Sequence, residues 1–446
     1  MYRKEESIPI PPENFELPFE GKLSSDNRWV IMANFIPWAE FESEYSSGFS
    51  AEMGAPAKSF RMALGALIIK EKLGTSDRET VEQIKENPYL QYFIGISSYR
   101  NETPFDASML VHFRERISAD FVNKVNQKMV KCMTVVRRDK CVSDVTMYRK
   151  EESIPIPPEN FELPFEGKLS SDNRWVIMAN FIPWAEFESE YSSGFSAEMK
   201  RNLSHIDQLI RSGATLENLI NRQYKMLLVV GEVYRQQLWL YENKKQSIDD
   251  RIVSLAQPHI RPIVRGKAGK AVEFGAKLSA SCFDGFVFLD HISWDNYNES
   301  GDLKAQVEAF KNYTGYYPES VHVDKIYRTR ENRAWCKERG IIMSGPPLGR
   351  PPANISKEKK KQDLESERIR NCIEGKFGQG KRRFSLNRVM AKLSHTSQTA
   401  IAITFLVMNL STHLSRVFYA FLCLFFKNKL FSQLDIAESY NSAIYL

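Results

Sequence analysis

The chain has 446 residues, of which 43% are hydrophobic and 26% are charged, and its net charge is +6. These values argue against a disordered chain and allow two or three domains, while the mild positive charge is compatible with a polyanionic partner. The six cysteines form no CxxC pair, which argues against a zinc module or a disulfide framework and indicates a reducing compartment.

The N-terminal part of the chain is predicted to be an all-helical domain over residues 1–130. Apolar residues recur at helical spacing from Pro56 to Phe93, and a capping box of Ser76 and Glu79 is predicted to begin the second of two helices. A further helix is predicted from Asp106 to Ile117. Pairs of short helices occur both in DNA-binding domains and as plain packing units, so this pattern leaves both roles open.

One long segment of the sequence occurs twice. Residues 1–53 recur without a single change as residues 147–199. Structural repeats diverge, recur at least three times and share a short period, so a structural tandem repeat fits poorly. A gene-level rearrangement fits better, and so does an error in assembling the gene. Residues 131–199 are therefore interpreted as a junction followed by the duplicate.

The second half of the chain is predicted to form an α/β domain. Residues 200–256 are expected to be a helical lead-in to an α/β core over residues 260–393. Pro346–Pro352 and the KEKKKQ run after Ser356 are expected to form an exposed linker. The alternation of predicted strands and helices indicates the α/β class. The predicted strands are Val272–Ala280, Phe286–Ser293, Ser320–Val323 and Ile341–Met343, and the predicted helices are Asp302–Thr314, Arg330–Arg339 and Asp363–Leu393.

The most apolar stretch runs from Ala400 to Phe426 and is interrupted by polar residues from Asn409 to Arg416. Its longest uninterrupted run is too short to cross a bilayer, so it is predicted to be a buried terminal helix. Residues 413–446 are expected to be an apolar C-terminal tail.

Two positions are candidates for carrying chemistry. Asp324 ends the predicted strand SVHVD, at the kind of strand end where catalytic groups of α/β sheets lie, although a lone aspartate there is commonly a helix cap. Fifty residues further on, Arg370, Glu374 and Lys381 are spaced R-x3-E-x6-K. Arg370 and Glu374 lie one helical turn apart on the same face.

The alternative for this charged segment is a solvated helix held by surface ion pairs. Three features weigh against that alternative. Glu374 lies next to Ile373 and near Phe377, which predicts a partly buried face; the segment follows the strand of Asp324; and cations crowd downstream, as a surface that follows DNA phosphates requires.

The R-x3-E-x6-K spacing resembles the core of the Y-x2-R-x3-E-x6-K signature of insertion-sequence transposases. The stretches RIVSLAQPHIRPIVRGK, VEFGAKLSASCFDGF, HVDKIYRTRENRAWCKERGI and IEGKFGQGKRRFSLNRVMAKL resemble the InsH-like members of that group. The resemblance covers an N-terminal domain over about residues 15–125 and a DDE domain over about residues 200–412.

The resemblance implies an RNase H-like fold in which three carboxylates hold two Mg²⁺ ions for phosphoryl transfer on DNA. By that likeness Asp324 is the second carboxylate and metal ligand, and Glu374 is the third. Arg370 and Lys381, with Arg382 and Arg383, are implied to hold DNA phosphates or to neutralise developing charge.

The signature's tyrosine position holds Glu367 here, which puts that supporting role in doubt. The implied partners are the inverted-repeat ends of an insertion sequence and target DNA, which a homo-oligomer would bind. No membrane partner is implied. The implied location is the bacterial cytoplasm, in association with the nucleoid.

The first carboxylate is not found in the sequence. It belongs on a strand reading roughly apolar-apolar-Asp-Ala-Thr before residue 200, where the second copy of the N-terminus now stands. Asp144 is nearby, but its neighbours do not match, and Asp284 and Asp290 fit a hairpin better than a metal site. The sequence therefore predicts an RNase H-like domain that lacks its first strand, and a chain that does not transpose DNA.

Two other functions compete with a defective transposase. One is a DNA-binding protein without catalysis that recognises insertion-sequence ends through residues 56–120 and the basic helix of Glu374. The other is a nuclease or another RNase H-like phosphotransferase, which the R-x3-E-x6-K spacing disfavours.

Overall fold

The computed structural model describes residues 11–17, 21–49, 57–133, 142–144 and 200–442, apart from residues 214, 218, 246, 268–269 and 347–355; for residues 142–144, 264–273 and 420–442 it describes only the backbone. The duplicate, residues 147–199, lies outside the described residues. The chain forms two units. The larger contains residues 1–148, 277–293 and 297–446, and the smaller contains residues 149–276 and 294–296. The predicted domain boundaries remain a prediction.

The N-terminal part of the larger unit is helical, as predicted. Gly74, in the left-handed conformation with φ of 69°, ends the helix Phe60–Leu73. The Ser76 hydroxyl then accepts a hydrogen bond from the Glu79 N–H at 3.2 Å and begins the next helix. The helices are α1 (Arg28–Ala33), α2 (Trp38–Ser46), α3 (Phe60–Leu73), α4 (Asp77–Glu86), α5 (Pro88–Phe93), α6 (Met109–Arg116) and α7 (Ala119–Met133).

A five-stranded sheet forms the α/β part of the same unit, in the order β5-β4-β1-β6-β7. Asp284 and Gly285, both with positive φ, form the predicted turn between β4 and β5. The strands are β1 (Val142–Asp144), β4 (Lys277–Phe283), β5 (Phe286–Ser293), β6 (Ser320–His322) and β7 (Ile342–Ser344), while β2 (Pro262–Lys267) and β3 (Lys270–Phe274) form a separate hairpin.

The centre of the sheet differs from the sequence prediction. Val142–Asp144 occupies the central position, antiparallel to β4 and parallel to β6. The expected absence of a first strand is therefore not confirmed. The sheet and its helices support the α/β class. The physical reason is that a strand of three residues carries no readable alternation of apolar residues, and its partners lie more than 130 residues away along the chain.

Three helices pack next to the sheet or against it. The first two are α10 (Asp302–Thr314) and α11 (Arg330–Glu338), which enclose a core with β6 that includes Val307, Val321 and Tyr327. The third is α12 (Lys357–Arg383), which lies against β1, β4 and β6. The KEKKKQ run belongs to the first turns of α12, so the prediction of an exposed linker there was wrong. The Ser356 hydroxyl caps this helix by accepting from the Lys359 N–H at 3.2 Å.

The last helix, α13 (Ser394–Ser442), contains the apolar stretch near the C-terminus. Within the described chain, Ser394–Tyr419 is long and apolar enough to cross a membrane, but 56% of its most apolar window is buried inside the protein. Residues 400–410 are buried against α3, α7 and β5, as predicted for the apolar stretch, whereas residues 411–419 are partly or fully exposed, so the predicted burial does not extend to them. The helix begins with a polar turn in which the Thr399 hydroxyl donates to the Ile117 carbonyl at 3.0 Å.

Asparagine side chains cover the backbone of the edge strand β5. The Asn409 side chain accepts from the Val287 N–H at 2.8 Å and donates to the Val287 carbonyl at 2.7 Å and to the Asn126 side chain at 2.9 Å. Asn123 donates to the Leu289 carbonyl at 3.3 Å. These contacts satisfy backbone groups that an edge strand would leave unpaired, and they join α7, β5 and α13.

The smaller unit contains the segment expected to be a helical lead-in. Helices cover residues 200–211 (α8) and Asn221–Glu242 (α9), and the chain from residue 243 to 256 is not helical, so that part of the prediction was wrong. The buried Gln236 explains the change, because its side chain accepts from the Ile252 N–H at 2.9 Å and donates to the Asp250 carbonyl at 3.2 Å. The returning chain is thereby held alongside α9.

Replacing Asn409 with leucine is expected to lower the free energy of unfolding by about 2–4 kcal/mol, because the Val287 N–H and carbonyl then lose buried partners. Replacing Asn123, which makes one longer and less buried bond, is expected to cost below about 1 kcal/mol. Urea unfolding followed by circular dichroism measures both. Equal losses in the two variants would contradict the role given to Asn409.

Candidate active site

Asp324 follows β6 at the edge where the parallel strands β1 and β6 end. Its backbone carbonyl accepts from the N–H of the buried Tyr327 at 3.1 Å, which holds a short 3-10 turn at Lys325–Tyr327. The Asp324 side chain makes no capping hydrogen bond to that turn. The carboxylate is therefore not used as a helix cap, which was the main structural alternative for this residue.

Helix α12 lies against the sheet and against α13, and its apolar face is buried. Ile373 and Phe377 are buried, and the Phe377 ring meets the ring of Phe405 edge-on at 6.1 Å. On β6, burial lowers the pKa of His322, and the hydrogen bond that its ring donates to the backbone carbonyl of Ser366 on this helix acts in the opposite direction. The anchored face determines which charged residues of α12 point towards Asp324.

Arg370 joins the two predicted carboxylates. Its Nη1 lies 2.7 Å from Asp324 Oδ1 and 3.6 Å from Glu374 Oε1, while its Nη2 lies 3.7 Å from Glu367 Oε1. The Arg370 side chain is 16% exposed and that of Glu374 is 64% exposed. The expectation that the Glu374 face is partly buried is wrong for Glu374 itself, because its neighbours Ile373 and Phe377 take the buried side of the helix.

The predicted DNA-contacting cations lie at the C-terminal end of α12. Lys381 is half-buried, and Arg382 and Arg383 are exposed. Lys376 has another role, since its Nζ donates to the Thr412 hydroxyl at 2.9 Å and burial lowers its pKa. The cations downstream of Glu374 thus divide into one that fastens α12 to α13 and others that are accessible to a ligand.

The three aspartates considered for the first carboxylate occupy different places. Asp284 lies in the β4–β5 turn, where Arg416 Nη1 contacts its Oδ2 at 3.0 Å, at the end of the sheet opposite to Asp324. Asp290 lies at a bulge of β5 and accepts from the Gln306 side chain at 3.0 Å. The backbone of Asp144 ends the central strand, and the pairing of Ser143 with His322 puts it at the same edge as Asp324.

The local sequence does not reveal that Asp144 ends a central strand. The signal in the sequence is weak, because only Cys141 and Val142 lead into it as apolar residues. Strand pairing with β4 and β6 supplies the information that the local sequence does not contain.

The described residues fit part of a divalent-metal site. They contain no group of three or more His, Cys, Asp or Glu side chains that could hold a metal ion. Asp324 and Glu374 nevertheless converge on one cationic group, Arg370, and carboxylate oxygens are the ligands that Mg²⁺ prefers. The two carboxylates therefore suit two of the positions in such a site.

Comparison with known proteins gives two family matches. Residues 17–116 match the family described as Transposase domain (DUF772), and residues 321–411 match the family described as Transposase DDE domain. The second match includes Asp324, Arg370, Glu374 and Lys381.

A curated relative is the uncharacterized protein ORF8 in the nfe locus of Rhizobium meliloti. It is 40% identical over 88 residues, which are 20% of this chain and 42% of that protein. The chain therefore spans less than half the length of this relative. No solved structure matches the chain.

The substitution Arg370→Gln is expected to lower the melting temperature without divalent ions, since it leaves Asp324 and Glu374 without their shared cation. The cost is about 1 kcal/mol for a partly buried pair. Millimolar Mn²⁺ is expected to restore the melting temperature of this variant, because the two carboxylates are then available as ligands. Differential scanning calorimetry with and without Mn²⁺ measures both effects.

The matched control is Arg235→Gln, which removes an exposed ion pair with Glu232 on α9 and should respond weakly to Mn²⁺. The double variant with Arg370→Gln and Asp324→Asn should lose the Mn²⁺ response. A full Mn²⁺ response in that double variant would rule out Asp324 as a ligand.

Proposed function

We propose that this chain is an insertion-sequence transposase whose reaction is metal-dependent DNA strand transfer, and that it performs this reaction poorly. The two matches to transposase families support the first part of the proposal. The observation that carries the proposal is the convergence of Asp324 and Glu374 on Arg370, at the edge where β1 and β6 end. Charged groups of opposite sign at a strand edge are the arrangement that phosphoryl transfer on DNA requires.

In this proposal Asp324 and Glu374 would hold Mg²⁺, which supplies polarisation of the phosphate and activation of a water or a 3′-hydroxyl. Arg370 binds a non-bridging phosphate oxygen and offsets negative charge as it develops. Lys381, Arg382 and Arg383 bind the DNA backbone further along α12. Glu367 replaces the tyrosine of the family signature and contributes a third carboxylate contact to Arg370.

We assign the position of the first carboxylate to Asp144. The register of β1 and β6 pairs Ser143 with His322, so the backbone of Asp144 lies beside Val323, one residue before Asp324. Carboxyl ends of neighbouring parallel strands meet at one edge of a sheet, where a shared ligand can be bound. This assignment replaces the sequence prediction that the first carboxylate was lost.

We attribute the proposed impairment to the short pairing of β1 with its neighbouring strands. The strand has three residues, and two of them pair with each neighbouring strand. Residue 147 begins the repeat of residues 1–53, so the chain that leaves this strand is a second copy of the N-terminus. A metal ligand on a weakly held strand is positioned loosely, and displacement of this kind costs metal affinity and rate.

The partners proposed are the inverted-repeat ends of an insertion sequence and a target DNA, bound by more than one copy of the chain. The proposed location is the bacterial cytoplasm, on nucleoid DNA. A DNA-binding role without catalysis remains an outcome of the experiment below.

Strand transfer by the purified chain is expected to be roughly 10-fold to 100-fold below that of an intact family member, because one carboxylate is poorly held. The substrate is a labelled oligonucleotide with the inverted repeats that flank the gene, incubated with target DNA and Mg²⁺ or Mn²⁺. The residual product should disappear in Asp144→Asn, Asp324→Asn and Glu374→Gln variants, and Glu365→Gln on the exposed side of α12 is the control.

Product at the level of an intact relative would overturn the impairment while supporting the chemistry. Product that survives Glu374→Gln would overturn the assigned site. Binding of the ends without any joined product, in Mg²⁺ and in Mn²⁺, would favour the DNA-binding role.

A further inference from the structure

A second charged site lies away from the two carboxylates, in the larger unit. It is a cavity of about 530 Å³ between α1, α3, α12 and α13. Four cations line it, and the described residues around it include no aspartate or glutamate. These cations are Arg28, Lys72, Arg383 and Arg416.

The positive charge of this basic cavity is largely uncompensated. In the described part of the chain, Arg28, Lys72 and Arg383 form no ion pair, whereas Arg416 pairs with Asp284. Burial, together with the charges of Arg28 and Arg383, lowers the pKa of Lys72 to about 8. Cations gathered in a half-buried space repel one another, and a bound anion would relieve that repulsion.

The cations are held in place by other contacts. Lys72 Nζ donates to the Ser411 hydroxyl at 2.9 Å. The buried ring of Phe384 lies 5.9 Å from Lys72 Nζ and 6.0 Å from the Arg383 guanidinium. These contacts fix the cations before a ligand arrives, and a preorganised site loses less conformational entropy on binding.

The position of the basic cavity indicates which anion it receives. Arg28 and Lys72 belong to the first transposase domain, and Arg383 belongs to the second. Arg383 lies nine residues after Glu374 on α12, which corresponds to ~14 Å along the helix axis. Successive phosphates of one DNA strand are about 3.4 Å apart along the duplex axis, so a duplex lying along α12 would present a phosphate about four base pairs from the carboxylates.

We propose that the basic cavity binds a backbone phosphate of DNA at a distance from the reacting bond. The inference rests on the proposed action on DNA, and it adds a contact formed jointly by the N-terminal and DDE segments. The phosphate accepts hydrogen bonds from Arg28, Lys72 and Arg383, and the Ser411 hydroxyl keeps Lys72 directed into the cavity. Contacts of this kind position the duplex and carry no sequence information.

The test is the salt dependence of binding to a fluorescent duplex oligonucleotide, measured by anisotropy with the full chain. The double variant with Lys72→Met and Arg383→Gln is expected to bind roughly tenfold more weakly and to lower the slope of log K against log salt by about one. The control, Lys244→Gln with Lys245→Gln, removes the same charge from exposed positions of the smaller unit and should keep the slope.

If the double variant unfolds, Arg28→Gln provides a second measurement of the salt dependence, because Arg28 is exposed. Circular dichroism checks that this variant is folded. The variant should show a smaller loss of slope in the same direction. An unchanged slope in folded variants would overturn the proposal. A different result would identify a site for a free anion and would also overturn the DNA assignment. In that result sulfate stabilises the original chain but not the variants, and the salt slope of DNA binding is unchanged in the variants.

Two further outcomes separate this proposal from the proposed function. An original chain that binds no DNA at all would overturn both. Loss of slope in the cavity variants, combined with strand transfer that is insensitive to Glu374→Gln, would support the cavity and overturn the assigned reaction site.

The affinity for DNA is also expected to depend on pH. A phosphate next to Lys72 favours its charged form, so binding is strongest below the pKa of about 8 and weakens as the pH rises through that value. The groups facing Lys72 are Arg28 from α1, Arg383 from α12, and Arg416 and Tyr419 from α13. Anisotropy between pH 7 and 9 should show this decline in DNA affinity. If the Lys72→Met variant shows the same decline, the titrating group is not Lys72.

Discussion

The structure of the larger unit depends on the asparagine contacts at the edge of its sheet. Asn409 binds both backbone groups of Val287 and the side chain of Asn126, and all three residues are buried. Because an amide can donate and accept at once, one side chain satisfies a strand edge and a neighbouring helix together. The same contacts join residues that are 122 and 283 positions apart in the chain.

This connection explains how the two segments that match transposase families pack together in the larger unit. Helix α13 packs against α3, α6 and α7 and also against β5 and α12. Helix α12 lies against the sheet and, through Phe377, against α13, and its position determines where Arg370 and Glu374 lie relative to Asp324. The basic cavity arises from the same packing, since it is bounded by helices from both domains.

Much of the fold could be predicted locally. Residues 286–293 and 302–314 were predicted with the bounds that the structure gives, because alternation, a turn with positive φ and helical spacing are recorded in consecutive residues. The KEKKKQ run was assigned to a linker because its charged residues show no apolar periodicity. In the structure the run lies in a helix that Ser356 caps. Strand β1 was missed because three residues carry too little pattern, and its position depends on pairing with β4 and β6.

The sequence by itself determined the family resemblance, the carboxylates Asp324 and Glu374, and the spacing that puts Arg370 one turn from Glu374. These depend on short stretches, in which helical geometry fixes the relation between neighbours. Tertiary structure alone decided that Arg370 contacts both carboxylates, that Asp144 ends the central strand, and that Lys72 lies in a cavity with Arg383. Each of these juxtapositions joins residues tens to hundreds of positions apart, and long-range packing rather than local periodicity brings them together.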